Sequence, residues 1–468
     1  HGPGTENSFG GVAQAYGESA PLVALPAGYT RRKTDVDPKF NSRLNYAHIA
    51  KTCEQLTDPE AVGETLRRAF SAARNGRQRP AVVELPLDVF DVDVGEPDYE
   101  PTSSRRVAPD PDGIAPVADA LLAADRPVIF AGQGVHYARG WAPLLELAEL
   151  LEAPVATSLN GKSAFPEDHP LSLGAAAKSV PGQLHHFMAE ADTIFGIGCS
   201  FTKTAYGLTV PAGKTIVHST LDTTDIDKDV KSDLALPGDA KLVLEALVDE
   251  LSDRLDGPRG RRDDVVAEIE SVKEDWFDDW RPKLTSDETP INPYRVVHEL
   301  TETIDASNAI VTHDAGNARD FLAPFWESPE PLGYIGWGKT TQLGYGLGLA
   351  MGAKLVHPDK LCVNFWGDGA IGMTGLDFET AVREDIPILS ILLNNYEMAG
   401  YSTPFGGEFA DVATALGGYA EKIEDPDEVS NAIERGIQQT EEGEAVLLEF
   451  ITSKETELST FAVEESAQ

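Results

Sequence analysis

Two apolar stretches, each followed at once by a polar loop, constrain the fold of this chain most. Residues 361–365 precede Asp368, which lies between two glycines, and residues 388–393 precede an Asn-Asn pair that ends at Asn395. Each stretch has the length and composition of a buried parallel strand, and residues 375–383 between them are expected to form a crossover helix. Open α/β sheets bind ligands at the carboxyl ends of their strands. The pattern therefore predicts an α/β fold in which Asp368 and Asn395 meet at a ligand site.

The chemistry of these two side chains predicts a magnesium site. Carboxylate, amide and main-chain carbonyl oxygens are hard ligands that suit Mg²⁺, which completes its octahedron with phosphate oxygens and water. The alternative is two unrelated turns, because Gly-Asp-Gly and Asn-Asn are each common in turns. The spacing, the flanking strands and the intervening helix favour a metal-bridged diphosphate site.

This arrangement resembles the cofactor motif of the thiamine-diphosphate-dependent superfamily that includes acetolactate synthase, pyruvate decarboxylase and benzoylformate decarboxylase. The resemblance implies that Asp368 and Asn395 bind Mg²⁺ through their side chains and that Glu397 binds it through its backbone carbonyl. It also implies that Gly369, with Ala370 beside it, lets the diphosphate approach the main chain. The cofactors implied are thiamine diphosphate and Mg²⁺.

Strand and helix signals alternate along the whole chain, which predicts three α/β domains with parallel sheets. The resemblance assigns residues 1–97 to the C-terminal part of a pyrimidine-binding domain and 108–255 to a central Rossmann-like domain. It assigns 256–290 to a linker and 291–468 to the diphosphate- and Mg-binding domain.

The sequence from His1 onward resembles the middle of the family's first domain, so roughly half of that domain is expected to be missing. The family's activating glutamate, which holds the pyrimidine N1′, would lie in that missing part. Feeble or no turnover is therefore expected from this chain. Normal rates would contradict the assignment of its first residues to the middle of the family's first domain.

A glycine-rich stretch is similar to the part of the family that shapes the cofactor. There Leu343 would wedge between the two rings, and the carbonyl of Thr341 would accept a hydrogen bond from the 4′-amino group. Gln342, between them, is a candidate catalytic residue. The alternative for Leu343 is an ordinary core leucine.

Other residues are weaker candidates for cofactor contacts. Gly316 permits close approach after the strand predicted near 309–311, and Asn317 has an amide that can donate to phosphate. An Asx turn without a ligand is the alternative there. Met398 is a further candidate cofactor contact, and Thr374 is expected to cap the crossover helix with its positive end toward the diphosphate.

Two catalytic candidates concern the substrate. His1 could donate a proton or bind an oxyanion, although a plain surface histidine explains it equally well. Tyr401 falls in a stretch that lines the substrate pocket in relatives, at a position where decarboxylases often place a glutamate. The tyrosine argues against a simple decarboxylase and favours carboligation or carbon–carbon cleavage.

The central block raises the question of a flavin. Acetolactate synthases hold a structural FAD across this domain, and Gly132 and Gly134 follow a predicted strand. The third glycine of the dinucleotide fingerprint is missing, however. FAD is therefore a candidate cofactor, with a nucleotide-free spacer domain as the alternative.

Composition limits the partners of this protein. There are 77 acidic and 38 basic residues, giving a formal charge of −39, which opposes binding to nucleic acid and anionic membranes. The charge is spread along the chain, as in proteins adapted to high salt. This halophilic hypothesis expects unfolding at low salt, and indifference to salt would contradict it.

Localisation is inferred from three cysteines and from hydropathy. Cys53, Cys199 and Cys362 lie far apart in apolar contexts, which indicates core thiols and a reducing cytoplasm. No apolar run has the length of a membrane span, and no signal peptide is visible.

These observations predict a cytoplasmic enzyme, similar to the acetolactate synthase large subunit, that makes or breaks a bond next to the carbonyl of a 2-oxo acid or diketone. The family's shared active sites imply a homodimer or homotetramer. The alternatives are a 2-oxo acid decarboxylase or diketone hydrolase, and an inactive cofactor-binding relative. A flavin or NAD oxidoreductase is a further rival, but it leaves the spacing of Asp368 and Asn395 unexplained.

Overall fold

The computed structural model describes residues 1–96, 99–205, 207, 209–398 and 403–461. The chain divides into two compact units, His1–Val107 and Ala108–Gln468. None of the helices in these described ranges combines the length and apolar composition that a membrane span requires. The three cysteines are unpaired, with Cys199 and Cys362 buried and Cys53 half-buried, as expected of core thiols.

The first unit is built around one buried strand. Its helices are α1 (Pro3–Asn7), α2 (Phe9–Gly17), α3 (Ser42–Asn45) and α4 (Val62–Arg74), and its strands are β1 (Val23–Ala24), β2 (Ala27–Gly28), β3 (Thr52–Gln55) and β4 (Ala81–Pro86). β4 pairs in parallel with the other three strands. Its apolar residues belong to two small core clusters, with Val82 in one and Ala81 and Val83 in the other.

The second unit begins with a six-stranded parallel sheet in the order β10-β9-β8-β5-β6-β7. Its strands are β5 (Pro127–Ala131), β6 (Val155–Ser158), β7 (Ser172–Ala176), β8 (Thr193–Ile197), β9 (Thr215–Ser219) and β10 (Leu234–Ala235). The accompanying helices are α5 (Pro111–Ala123), α6 (Gln133–Ala138), α7 (Trp141–Leu151), α8 (Gly182–Glu190) and α9 (Ala240–Ser252). The long helix α10 (Arg262–Leu284) leads from this sheet to the next.

The second unit ends with another six-stranded parallel sheet, in the order β12-β11-β13-β14-β18-β17. Its strands are β11 (Ala309–His313), β12 (Tyr334–Ile335), β13 (Leu361–Gly367), β14 (Leu389–Asn394), β17 (Tyr419–Ile423) and β18 (Val446–Ile451). Outside this sheet, a short antiparallel ribbon is formed by β15 (Glu397–Met398) and β16 (Thr403–Pro404). The helices are α11 (Pro293–Thr303), α12 (Asn317–Leu322), α13 (Tyr345–Val356), α14 (Asp368–Thr374), α15 (Phe378–Arg383), α16 (Phe409–Ala415) and α17 (Val429–Glu441).

Both faces of this last sheet are covered, which explains why its central strands are apolar throughout. Along β13, Val363 and Phe365 belong to one core cluster, whereas Cys362 and Trp366 belong to the cluster on the opposite face. The predicted parallel α/β fold is confirmed, while the finer domain boundaries stay predictions.

The crossover between β13 and β14 differs from the single helix predicted over 375–383. Helix α14 begins at Asp368 itself, and a 3-10 turn, Gly375–Asp377, separates it from α15. The predicted capping role of Thr374 is wrong, because its hydroxyl makes no cap bond and instead donates to the carbonyl of Gly344 at 2.8 Å.

Candidate metal and diphosphate site

The ends of β13 and β14 lie side by side in the sheet. Gly367 pairs in register with Leu393, so Asp368 and the Asn-Asn pair leave the sheet at the same edge. Asp368 is buried at the start of α14, and Asn395 is half-buried just after β14. The sheet register therefore brings together the two motifs that the sequence separates.

Asp368 and Asn395 direct their oxygens at one common point. The backbone N–H of Glu397 donates to Oδ2 of Asp368 at 3.2 Å and to Oδ1 of Asn395 at 3.0 Å. Since both oxygens contact the same nitrogen, their separation cannot exceed the sum of these two distances. A carboxylate and an amide oxygen that converge in this way fit the donor set of a hard divalent cation.

Burial controls the charge of Asp368. Removal from water raises the pKa of its carboxyl group to about 6, while hydrogen bonds from backbone N–H groups, including that of Gly369 at 2.7 Å, act in the opposite direction. A nearby cation would favour the ionised form. The described residues contain no cluster of three or more His, Cys, Asp or Glu side chains that could hold a metal ion. The candidate site therefore depends on one carboxylate, that of Asp368, and one amide, that of Asn395.

The turn that carries Asn395 is built by the preceding asparagine. Oδ1 of Asn394 accepts the N–H of Tyr396 at 3.1 Å, and its Nδ2 donates to Gly407 at 3.2 Å and to Glu449 at 2.6 Å. Tyr396 adopts a left-handed conformation with φ of 58°. Asn394 is thus a structural residue of the turn, a function that asparagine side chains often serve.

Two further candidates lie next to Asp368. A Cβ on Gly369 would lie 3.4 Å from the terminal methyl carbon of Met398, so the Met398 side chain extends over this glycine. The methyl group of Ala370 belongs to the core, which leaves only its backbone for a ligand. Gly369 and Met398 therefore pack against each other beside Asp368, and Ala370 presents only main chain.

The stretch predicted to shape the cofactor packs against α14, the helix that begins at Asp368. A Cβ on Gly344 would lie 2.5 Å from the Thr374 hydroxyl oxygen at the end of α14, a distance that only glycine permits. Just before Gly344, Thr341 and Leu343 are half-buried and Gln342 is exposed. Leu343 packs against the core on one side of the sheet, as the core alternative requires, and its role as a wedge stays a prediction.

A buried aspartate, which sequence reasoning did not single out, fixes the geometry of this stretch. The carboxylate of Asp314, directly after β11, accepts the N–H groups of Ala315, Gly344 and Gly346 at 2.7, 2.8 and 2.9 Å. Burial raises its pKa to about 6. Asp314 therefore connects the end of β11 to the start of α13, which is a structural task.

The two phosphate candidates follow this aspartate. Gly316 is exposed with φ of 89°, and Asn317 is half-buried as the first residue of α12. β11 is the neighbour of β13 in the sheet, so Asn317 emerges at the same edge as Asp368. Contact of Gly316 and Asn317 with phosphate stays a prediction.

The two substrate candidates, His1 and Tyr401, stay predictions. Tyr401 lies outside the described residues. His1 is exposed in the first unit, where its ring packs edge-on against Tyr29 with 4.9 Å between centroids.

Close packing accounts for the glycines of the central sheet. The N–H of Gly134 donates to the Gly198 carbonyl at 2.8 Å, and a Cβ on Gly134 would lie 2.8 Å from the Gly198 Cα. A Cβ on Gly132 would lie 2.4 Å from the same carbonyl oxygen. Two loops at strand ends thus require these glycines for contact with each other, whether or not a nucleotide binds.

Comparison with known families identifies two regions of the chain. Residues 114–247 match the thiamine pyrophosphate enzyme central domain. Residues 314–450 match the thiamine pyrophosphate enzyme C-terminal TPP binding domain, which contains Asp368 and Asn395.

Individual relatives cover most of the chain. The probable acetolactate synthase large subunit of Methanocaldococcus jannaschii is 30% identical over 94% of this chain and 78% of the relative. Acetolactate synthase isozyme 3 large subunit of Escherichia coli K12 is 29% identical, with coverage of 84% and 70%. Sulfoacetaldehyde acetyltransferase of Alcaligenes xylosoxydans xylosoxydans is 27% identical, with coverage of 97% and 82%.

Solved structures share the same architecture. Benzoylformate decarboxylase from Polynucleobacter necessarius superimposes with a TM-score of 0.79 at 22% identity, over 97% of this chain and 86% of that one. At this level of identity the likeness shows the fold.

Proposed function

Because the chain belongs to the thiamine-diphosphate-dependent enzymes of acetolactate synthase type, we propose that Asp368 and Asn395 hold the Mg²⁺ that anchors the cofactor's diphosphate. The single observation that carries this proposal is the convergence of both side-chain oxygens on the Glu397 N–H. The carbonyl of Glu397 is the proposed third ligand. When bound, the cofactor supplies the nucleophilic carbon that chemistry at a substrate carbonyl requires.

The surrounding residues are proposed to bind and orient the cofactor. Gly369 offers main chain without a side chain of its own to the diphosphate, and Asn317 offers an amide from the neighbouring strand end. Leu343 and the Thr341 carbonyl are proposed to set the angle between the two rings, because Thr374 and Asp314 hold this stretch beside α14.

The proposed substrate is a 2-oxo acid or a diketone, with a bond made or broken next to its carbonyl. The names of the relatives support this class, since acetolactate synthase and sulfoacetaldehyde acetyltransferase both describe reactions of carbonyl compounds. A flavin in the central domain has weaker support, because loop packing already accounts for Gly132 and Gly134. A flavin absorption band in the purified protein would nevertheless support FAD as a cofactor.

We also propose that the active form is a homodimer or homotetramer. Four large apolar side chains of α13, α14 and the turn after α14 are exposed: Leu355 (69% exposed) and Val356 (71%) at the end of α13, Met373 (56%) in α14 and Leu376 (73%) in the turn. Gly352 and Gly348, one and two helical turns before Val356, have open space where a side chain would lie. Exposed apolar surface often marks an interface, and a second copy of the chain is the proposed occupant of this side of α13 and α14.

Calorimetry with thiamine diphosphate tests the proposed metal site. Binding to the wild type should require Mg²⁺, and Asp368→Ala should weaken it by about 100-fold or more, since one of two side-chain ligands and its charge are lost. Asp377→Ala is the matched control, because this exposed aspartate carries the same charge a short distance along the chain. Metal-independent binding, or equal losses in both variants, would contradict the proposal.

A further inference from the structure

Glu449 is a buried carboxylate that the proposed mechanism does not use. It lies in β18, where every other residue is apolar, and its exposure is 0%. Burying a carboxylate in a sheet is unfavourable unless it is hydrogen-bonded or paired with a cation. Among the described residues, none forms an ion pair with Glu449, so its hydrogen bonds must explain its presence.

Glu449 makes two short hydrogen bonds, and both lead to the loops beside the candidate metal site. Oε1 accepts from Nδ2 of Asn394 at 2.6 Å, and Oε2 accepts the N–H of Ala410 at 2.7 Å. Ala410 lies in the first turn of α16, shortly after the β15–β16 ribbon. One side chain thus connects the end of β14 to the segment that returns from this ribbon.

The bond to Asn394 also determines the orientation of its amide group. Because Glu449 can only accept when ionised, the Nδ2 end of Asn394 faces it. The Oδ1 end therefore faces the N–H of Tyr396 and holds that residue in its left-handed conformation. The next residue along, Glu397, contributes the N–H on which Asp368 and Asn395 converge.

We propose that Glu449 is a positioning residue for metal binding. By fixing the amide of Asn394, it holds the turn that presents Asn395 and the Glu397 carbonyl opposite Asp368. This inference rests on the proposed function, since it names what keeps the proposed ligands in place. Glu449 is not itself a proposed ligand, since its two carboxylate oxygens already accept from Asn394 and Ala410.

The test is the affinity for Mg²⁺, measured by calorimetry with thiamine diphosphate at saturation, with Mn²⁺ and its paramagnetic resonance signal as a second probe. Glu449→Gln keeps the size of the side chain but replaces one accepting oxygen with an NH₂ group, which cannot accept from Asn394 or from the Ala410 N–H. The affinity for Mg²⁺ should therefore fall by about tenfold or more. Glu421→Gln is the control, because Glu421 is a strand glutamate of the same sheet that bonds instead to Arg435 and Tyr419.

A double-variant comparison separates positioning from general stability. Asn394→Ala should lower Mg²⁺ affinity to a similar extent, and the combination with Glu449→Gln should add little, because both changes break the same bond. A folded Glu449→Gln protein with a reduced melting temperature and unchanged Mg²⁺ affinity would overturn the proposal. If that variant does not fold, unchanged affinity in Asn394→Ala would overturn it.

The wild type distinguishes the failure of this inference from the failure of the proposed function. If the wild type shows no Mg²⁺-dependent binding of thiamine diphosphate, the metal site itself is wrong. If the wild type binds normally and Glu449→Gln binds equally well, only the positioning role is wrong.

Discussion

A single histidine shows how burial determines charge in the last sheet. The ring of His313 is fully buried between Tyr334 and Tyr345. Its Nε2 accepts the N–H of Trp337 at 3.1 Å, so the proton resides on Nδ1, which lies 3.0 Å from the Asp314 carbonyl. Burial lowers the pKa of His313 to about 3, and the residue is therefore neutral in the folded protein.

His313 should make stability dependent on pH in the acid range. Its folded pKa lies below the unfolded value of about 6.5, so the unfolded chain binds the proton first and stability falls as pH drops from about 6.5 toward 3. Between pH 7.5 and 5 the wild type should lose about 2 kcal/mol more than His313→Asn. Denaturant unfolding of both proteins at each pH measures this difference, and parallel pH profiles would contradict the assignment.

The residues of the site were predictable only where a local pattern carries the signal. Asp368 and Asn395 follow apolar strands at a recognisable spacing, whereas the function of Asp314 depends on Gly344 and Gly346, which are distant in the sequence. For Glu449 a signal existed, namely one charged residue within an apolar strand. Its partners could not be inferred, because they depend on the order of strands in the sheet.

Among the elements, strands were easier to predict than the helices of the crossover. A strand buried on both faces is a continuous apolar run, and β13 and β14 match the predicted runs closely. Helix α14 was missed because glycines disfavour helices. Here tertiary packing overrides that preference, since the Phe405 ring lies directly against Gly372.

Helix α13 should tolerate no side chain at its second residue. A Cβ on Gly346 would lie 2.5 Å from Oδ1 of the buried Asn364 and 3.0 Å from the His313 carbonyl oxygen. Alanine improves helix propensity by about 1 kcal/mol, but overpacking costs about 1–3 kcal/mol. Gly346→Ala should therefore lower the free energy of unfolding by up to about 2 kcal/mol.

A double variant tests the physical reason for this loss. Combining Gly346→Ala with Asn364→Ala removes the atom nearest to the new methyl group. The loss in the free energy of unfolding of the double variant should therefore be smaller than the sum of the losses in the two single variants. Strict additivity in denaturant unfolding would show that the contact with Asn364 is not the cause.

At the scale of the whole molecule, the exposure of Leu355, Val356, Met373 and Leu376 could not be predicted from the sequence. Apolar residues in and beside helices predict a core face, and only the fold shows that these four side chains are uncovered within one copy of the chain. Strand and helix alternation, in contrast, was sufficient to predict the parallel sheets, because it is a local signal repeated many times.

Light scattering after size-exclusion chromatography tests the proposed assembly. The wild type should elute as a dimer or larger, and Leu376→Glu should shift it to the monomer, because a charge would be buried without a partner. Val412→Glu is the control, since Val412 is an exposed apolar residue of another helix, α16. A monomeric wild type, or an equal shift in both variants, would contradict the assembly.

The aspartate that joins β11 to α13 has a consequence for mutational scanning. In a saturation library, Asp314 should tolerate substitution as poorly as a metal ligand, because asparagine cannot accept three backbone N–H groups equally well. A ranking by intolerance alone would thus place it among the catalytic residues. Selection on abundance and selection on turnover, scored separately, would distinguish a residue that builds the loop from one that serves the reaction.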